Sequence, residues 1–180
     1  MTQKTNEILT KDLNEKGILR LTLDDPGTKN PLSELMMDNL ISEIDTASTD
    51  KEVKVIVIGS TGDVFCSGHD LKELKEANDS NKDKELFFLN LFQKCSKLMQ
   101  LIVNCPKPII AEVGGIATAA GCQLVASCDL AISSECAKFA TPGVNIGLFC
   151  STPMVSLSRN VSKKNSMNML LTGDMIDAEE

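Results

Sequence analysis

The chain has 180 residues, 42% of them hydrophobic, and a formal net charge of −7, which fits one soluble domain with a sizeable core. Aromatic residues are 3% of the chain, with no Trp and no Tyr, and no basic stripe runs along it. That argues against base stacking on nucleic acid and against an anionic membrane surface.

No run approaches the roughly 18 apolar residues of a transmembrane helix. The N-terminus lacks a signal-peptide core and carries Glu7 and no Arg, a poor presequence. The expected compartment is the cytoplasm, with the mitochondrial matrix as the alternative if a presequence has been removed. The seven Cys form no Cys-x-x-Cys pair and there is one His, so no metal site is expected and the thiols read as small core hydrophobes in a reducing compartment.

In chain order, residues 18–23 alternate and predict a strand, broken by Asp24-Asp-Pro-Gly27. Residues 32–47 carry helical spacing at Leu35, Met36, Leu40, Ile41 and Ile44. A buried strand is expected at 53–58, a turn at 59–62 and a short extended piece at 64–67. Residues 72–85 are charged and predict a mobile surface segment. A long amphipathic helix is expected at 86–103, closed by Asn104-Cys-Pro-Lys-Pro108. Then come a strand at 108–113, a helix at 119–127, strands at 129–133 and 138–141, and helices at 151–159 and 163–171. Asp177-Ala-Glu-Glu180 reads as a helix start. Strands alternating with helices make the class α/β.

Two segments carry candidate chemistry. Gly115-Ile-Ala-Thr-Ala-Ala-Gly-Cys-Gln123 follows an apolar strand and opens a helix. Small residues there aim unpaired N–H groups and the positive end of a helix dipole at one point, which suits an oxyanion; ordinary strand–helix packing gives the same pattern. Phe65-Cys-Ser-Gly-His-Asp-Leu71 ends a strand with a second such bend. The spacing lets two N–H groups converge on one carbonyl oxygen from neighbouring strand ends.

With Leu21–Pro26, Lys29-Asn-Pro-Leu32, Lys107–Gly115, Gly121–Leu124 followed by Cys128-Asp129, and Phe139–Gly147, these motifs resemble, in order, those of the enoyl-CoA hydratase/isomerase (crotonase) superfamily. Residues 117–129 and 139–153 are closer to one branch of it with mitochondrial and bacterial members. The resemblance implies a crotonase (ClpP/crotonase-like) spiral of ββα repeats over 1–180, lacking the family's C-terminal helices, which cover the acyl site and join trimers. It implies an acyl-CoA thioester ligand, a homotrimer or hexamer if those helices were present, and no cofactor apart from the CoA of the substrate. The thioester oxygen would lie between the backbone N–H groups of His69 and Ala120. Ser67, Gly68, Asp70, Leu71 and Gly121 would shape the substrate site, with the adenine end near Ser67 and Leu71.

Two positions depart from the family. Its paired catalytic Glu residues fall on Gln123 and Gly143. An amide has no titratable proton near neutral pH and Gly has no side chain, so the expected product is an enoyl-CoA hydratase-like protein of acyl-CoA metabolism that hydrates slowly or not at all. The alternatives are decarboxylation of a malonyl-type thioester by the oxyanion hole alone, and a non-catalytic acyl-CoA-binding regulatory protein. Asp70 reads as a structural cap or turn residue, Cys122 as packing, and the His69 ring as less important than its backbone. A Clp-type protease would need that ring in a Ser–His–Asp relay.

Overall fold

The computed structural model describes residues 3–6, 8–80 and 83–179. Strands β1 (Gln3–Asn6) and β2 (Leu9–Leu13) form an antiparallel hairpin that pairs with β3 (Ile18–Leu23). The hairpin was not expected, because β2 offers apolar residues only at its two ends. In β3, Leu19, Leu21 and Leu23 are buried, as its alternation predicts.

Helix α1 (Glu34–Thr49) starts at Ser33, whose hydroxyl accepts from the Met36 N–H at 3.2 Å. The expected start at Leu32 is too early, since Leu32 bridges to His69 instead. Strand β4 (Val55–Ser60) extends past Gly59, expected as a turn, because Gly59 and Ser60 pair with Thr22 and Leu23. Strand β5 (Val64–Cys66) follows.

The expected mobile segment at 72–85 is a correction. Residues Leu71–Asp79 form helix α2, with the Asp70 carboxylate accepting from the Lys72 N–H at 2.8 Å. Lys72, Lys75 and Glu76 face solvent, Glu73 accepts from the Glu34 N–H and Leu74 packs on the core; residues 81 and 82 lie outside the described residues. Helix α3 (Lys84–Val103) buries Leu91, Cys95, Leu98, Met99 and Ile102.

Next come β6 (Ile109–Val113), β7 (Ile116–Thr118), α4 (Ala120–Ser127), β8 (Leu130–Ser133), β9 (Lys138–Ala140), α5 (Ser151–Asn160), α6 (Lys163–Thr172) and β10 (Ile176–Asp177). Strand β7 occupies what reads locally as a small-residue turn, because Val64, Lys138 and Phe139 lie ready to pair with it. Ile176 and Asp177 pair with Phe139 and Lys138 rather than opening a helix.

The larger sheet has the order β1-β2-β3-β4-β6-β8 and is parallel from β3 onward; the smaller has the order β10-β9-β7-β5. Successive units β4–β5, β6–β7 and β8–β9 each give one strand to each sheet, then pass to helix. This is the expected ββα spiral, and it stacks the ends of β5 and β7 side by side. One apolar cluster unites β3, β4, β6, α1 and α3, and a smaller one gathers Cys122, Leu157, Met169 and Leu170.

Candidate functional site

The site begins with a clamp. Lys29 and Asn30 both take positive φ, at 71° and 50°, and turn the chain beneath the end of β5. The Lys29 carbonyl accepts from the Ser67 N–H at 3.2 Å, and the Gly68 carbonyl accepts from the Leu32 N–H at 2.7 Å. Asn30 is fully buried, and its amide donates to the Thr61 and Val64 carbonyls at 2.8 and 2.7 Å. The sequence marks Asn30 only as part of a family-like motif; its role as a hub emerges from contacts more than thirty residues away.

The clamp holds Gly68 at φ +93°, a conformation that other residues adopt at a cost. From the other side comes the end of β7. The Thr118 hydroxyl donates to the Ser67 carbonyl at 3.1 Å. Ala119 stands at φ 51° and ψ −120°, a strained setting for a residue with a side chain. Its N–H is tied to the Ala140 carbonyl at 3.0 Å. This turn brings the Ala120 nitrogen close to Gly68. A Cβ placed on Gly68 would lie 3.2 Å from the Ala120 nitrogen. The N–H groups of His69 and Ala120 take part in no turn, cap or side-chain bond among the described residues. As the first residue of α4, Ala120 has no intrahelical acceptor for its N–H.

The remaining expected residues fall around this pair. The Asp70 carboxylate is occupied as the α2 cap, and Leu71 is 70% exposed beside it. Gly121 packs against Cys66. The His69 ring meets Phe92 edge-on at 5.5 Å, a contact the sequence did not signal. Among the described residues neither ring nitrogen has a hydrogen-bond partner, so no carboxylate there joins the ring in a protease relay. Burial pushes its pKa below 6.5, with the nearby Leu32 backbone opposing.

Gln123 lies one turn after Ala120 and is 6% exposed, and its buried Oε1 atom has no partner among the described residues. It lines a cavity of about 340 Å³ between α3, α4 and α5. Gly143 lies in a short 3₁₀ turn, Pro142–Ile146. A Cβ there would fall 2.6 Å from the Leu148 carbonyl oxygen and 2.8 Å from the Cys150 sulfur, so the loop at 148–150 fills the place a longer side chain would need. Cys122 is buried and its thiol is pushed up to about 12 by that burial, which makes it inert packing.

The chain matches the family model described as enoyl-CoA hydratase/isomerase over residues 14–180. It is 49% identical over 172 residues to the mouse protein "Enoyl-CoA hydratase domain-containing protein 3, mitochondrial", covering 96% of this chain and 56% of that one. It is 31% identical to the Escherichia coli 2,3-dehydroadipyl-CoA hydratase, covering 92% of this chain and 62% of that one. The crystal structure of human enoyl-CoA hydratase domain-containing protein 3 superposes with a TM-score of 0.89 at 47% identity, covering 96% of this chain and 66% of that one. A Mycobacterium smegmatis enoyl-CoA hydratase gives the same TM-score at 44% identity, covering 97% and 66%. The chain thus spans little more than half the length of the first of these relatives.

Proposed function

The chain belongs to the enoyl-CoA hydratase/isomerase family, and from that premise we propose that it binds an acyl-CoA thioester with the carbonyl oxygen between the N–H groups of His69 and Ala120. The observation that carries this reading is the approach of Gly68 to the Ala120 nitrogen, 3.2 Å from a Cβ placed on that glycine. Two unengaged donors on converging loops are what an enolate oxygen needs, and one such donor is worth about 3–4 kcal/mol to a transition state. The exposed apolar side chains of Leu71 and Phe92 border the bend and suit an apolar ligand.

In this reading the thioester is held and polarised, but hydration is slow. Gln123 can orient a water through its amide and cannot take its proton, and position 143 supplies no side chain. General acid–base catalysis is worth about 10²–10⁴-fold, and that is the shortfall expected. The same donor pair would stabilise the enolate from a malonyl-type thioester, for which no Glu pair is needed. The relatives' names place those proteins in mitochondria, which favours the matrix over the cytoplasm. Its reducing interior suits seven free cysteines. Assembly as a trimer or hexamer is part of the same proposal.

The test is calorimetric titration with acetoacetyl-CoA, then crotonyl-CoA in the same sample with absorbance followed. Binding with slow or no loss of the enoyl-thioester absorbance supports the reading. Brisk hydration overturns its catalytic half, and the absence of binding overturns it entirely.

A further inference from the structure

Aromatic side chains are scarce in this chain and gathered in one place. It holds six Phe and one His, with no Trp and no Tyr. Three of those Phe stand close together on α3, at positions 87, 88 and 92. With the His69 ring they form one continuous row. Phe87 packs against the main core and meets Phe88 edge-on at 5.5 Å. Phe88 and Phe92 lie nearly parallel, at 21° and 6.5 Å between ring centres. Phe92 in turn meets the His69 ring at 5.5 Å.

Core packing does not account for the outer end of this row. Helix α3 buries Leu91, Cys95, Leu98, Met99 and Ile102, and Phe92 lies off that face, 43% exposed. Leu89 of the same helix and Leu71 at the start of α2 are exposed as well. Apolar surface left open in this way marks a binding site.

The place of His69 decides for a small ligand. This residue supplies the last ring of the row and one N–H of the proposed donor pair. By bond lengths, its ring centre lies at most about 5 Å from its own backbone nitrogen. The Phe92 ring centre, 5.5 Å further, is therefore within about 10 Å of that nitrogen. A thioester oxygen sits about 3 Å from the N–H, and a ring on the third acyl carbon is centred about 6 Å beyond the oxygen. Such a ring reaches the zone in which aromatic pairs form, about 4.5–7 Å from the Phe92 centre.

Resting on the thioester reading above, we propose that Phe92 is a specificity residue and that the ring row of α3 selects thioesters whose acyl group bears an aromatic ring. An aryl group set edge or face to Phe92 extends the row and gains the quadrupole attraction of an aromatic pair. A saturated ring fills the same space and gains burial alone.

The experiment is calorimetric titration of the wild-type chain, F92L and F92W with 3-phenylpropanoyl-CoA, 3-cyclohexylpropanoyl-CoA and free CoA. The two thioesters match in carbon count and differ in aromaticity, and the cyclohexyl group is the more apolar. The wild type is expected to bind the phenyl thioester about fivefold more tightly than the cyclohexyl one. F92L is expected to bring that ratio close to one, and F92W to keep it. Because Phe92 lies off the buried face of α3, thermal melts of both variants are expected to follow the wild type. A wild-type ratio of one or less, with both thioesters binding more tightly than CoA, overturns the inference and leaves the thioester site intact. Weakening of all three ligands by one factor in F92L keeps the ratio and also overturns it, because the ring then meets the CoA moiety. If neither thioester binds the wild type more tightly than CoA, the inference falls together with the reading on which it rests.

Discussion

Gly121 stands so close to Cys66 that a Cβ at position 121 would fall 2.2 Å from the Cys66 carbonyl oxygen. Backbone meets backbone at this point, and neither side can give way as the tip of a long side chain would. The contact sets how near the first turn of α4 comes to the end of β5. It therefore sets how near the Ala120 N–H comes to that of His69. Replacing Gly121 by Ala is expected to cost about 1–3 kcal/mol of stability and to weaken acetoacetyl-CoA binding at least tenfold. Urea unfolding and calorimetric titration measure the two effects.

Placing Glu at the two positions proposed to lack it, 123 and 143, is expected to have different effects. Gln123 already lines a cavity and leaves one amide atom unsatisfied. Gln123→Glu therefore fits without repacking and supplies a titratable group, raised in pKa by burial. Crotonyl-CoA hydration should rise by about tenfold or more. Gly143→Glu collides with the Leu148 carbonyl and should lower the melting temperature without adding activity. A spectrophotometric hydration assay and a thermal melt on both single variants and the double variant check this.

His69 gives the chain a pH signature. Burial lowers its pKa from 6.5 in the folded protein, so the unfolded chain takes up the proton first as pH falls. Stability from this group is complete above about pH 6.5 and declines as pH drops toward the folded value. Glu73, raised from 4.5 mainly by burial, works in the opposite sense, so the informative quantity is the difference between wild type and His69→Phe. That difference should change below pH 6.5 and stay flat above it, in urea unfolding at stepped pH. Acetoacetyl-CoA binding by the variant should fall only slightly, since its backbone N–H is retained.

Asp70 caps α2 through the Lys72 N–H. Asp70→Ala should cost about 1 kcal/mol, leave thioester affinity nearly unchanged, and raise hydrogen exchange in the first turn of α2. A large loss of affinity with no change in exchange would place Asp70 in the binding site instead.

The cysteines should separate by reactivity. Burial pushes Cys66, Cys122 and Cys128 up to about 12 and Cys95 to about 11, whereas Cys136 is exposed. Brief alkylation with iodoacetamide at pH 8, read by peptide mass, should modify Cys136 first and leave those four intact.

Much of the architecture is legible in residue order. Leu19, Leu21 and Leu23 alternate and are buried, and the helical spacing across 86–103 yields α3. These signals are local, because a period of two or 3.6 needs only neighbours in sequence. That positions 123 and 143 carry Gln and Gly is equally legible, since it is residue identity alone. The ordering of α2 is not legible, because its charged composition is compatible with a solvated coil until Asp70 caps it and Leu74 finds the core. The same holds for β7, whose small residues read as a turn until Val64, Lys138 and Phe139 pair with them.

The site divides in the same way. The sequence by itself determined the family-like order of motifs, and with it the spiral; His69 and Ala120 follow from that order only as the proposed donor pair. Only the tertiary structure decided that Ala119 takes a positive φ, that the 148–150 loop fills the place at Gly143, and that Gln123 lines a cavity between α3, α4 and α5. Each of those depends on the distance between segments remote in the chain, which packing sets and no local pattern encodes.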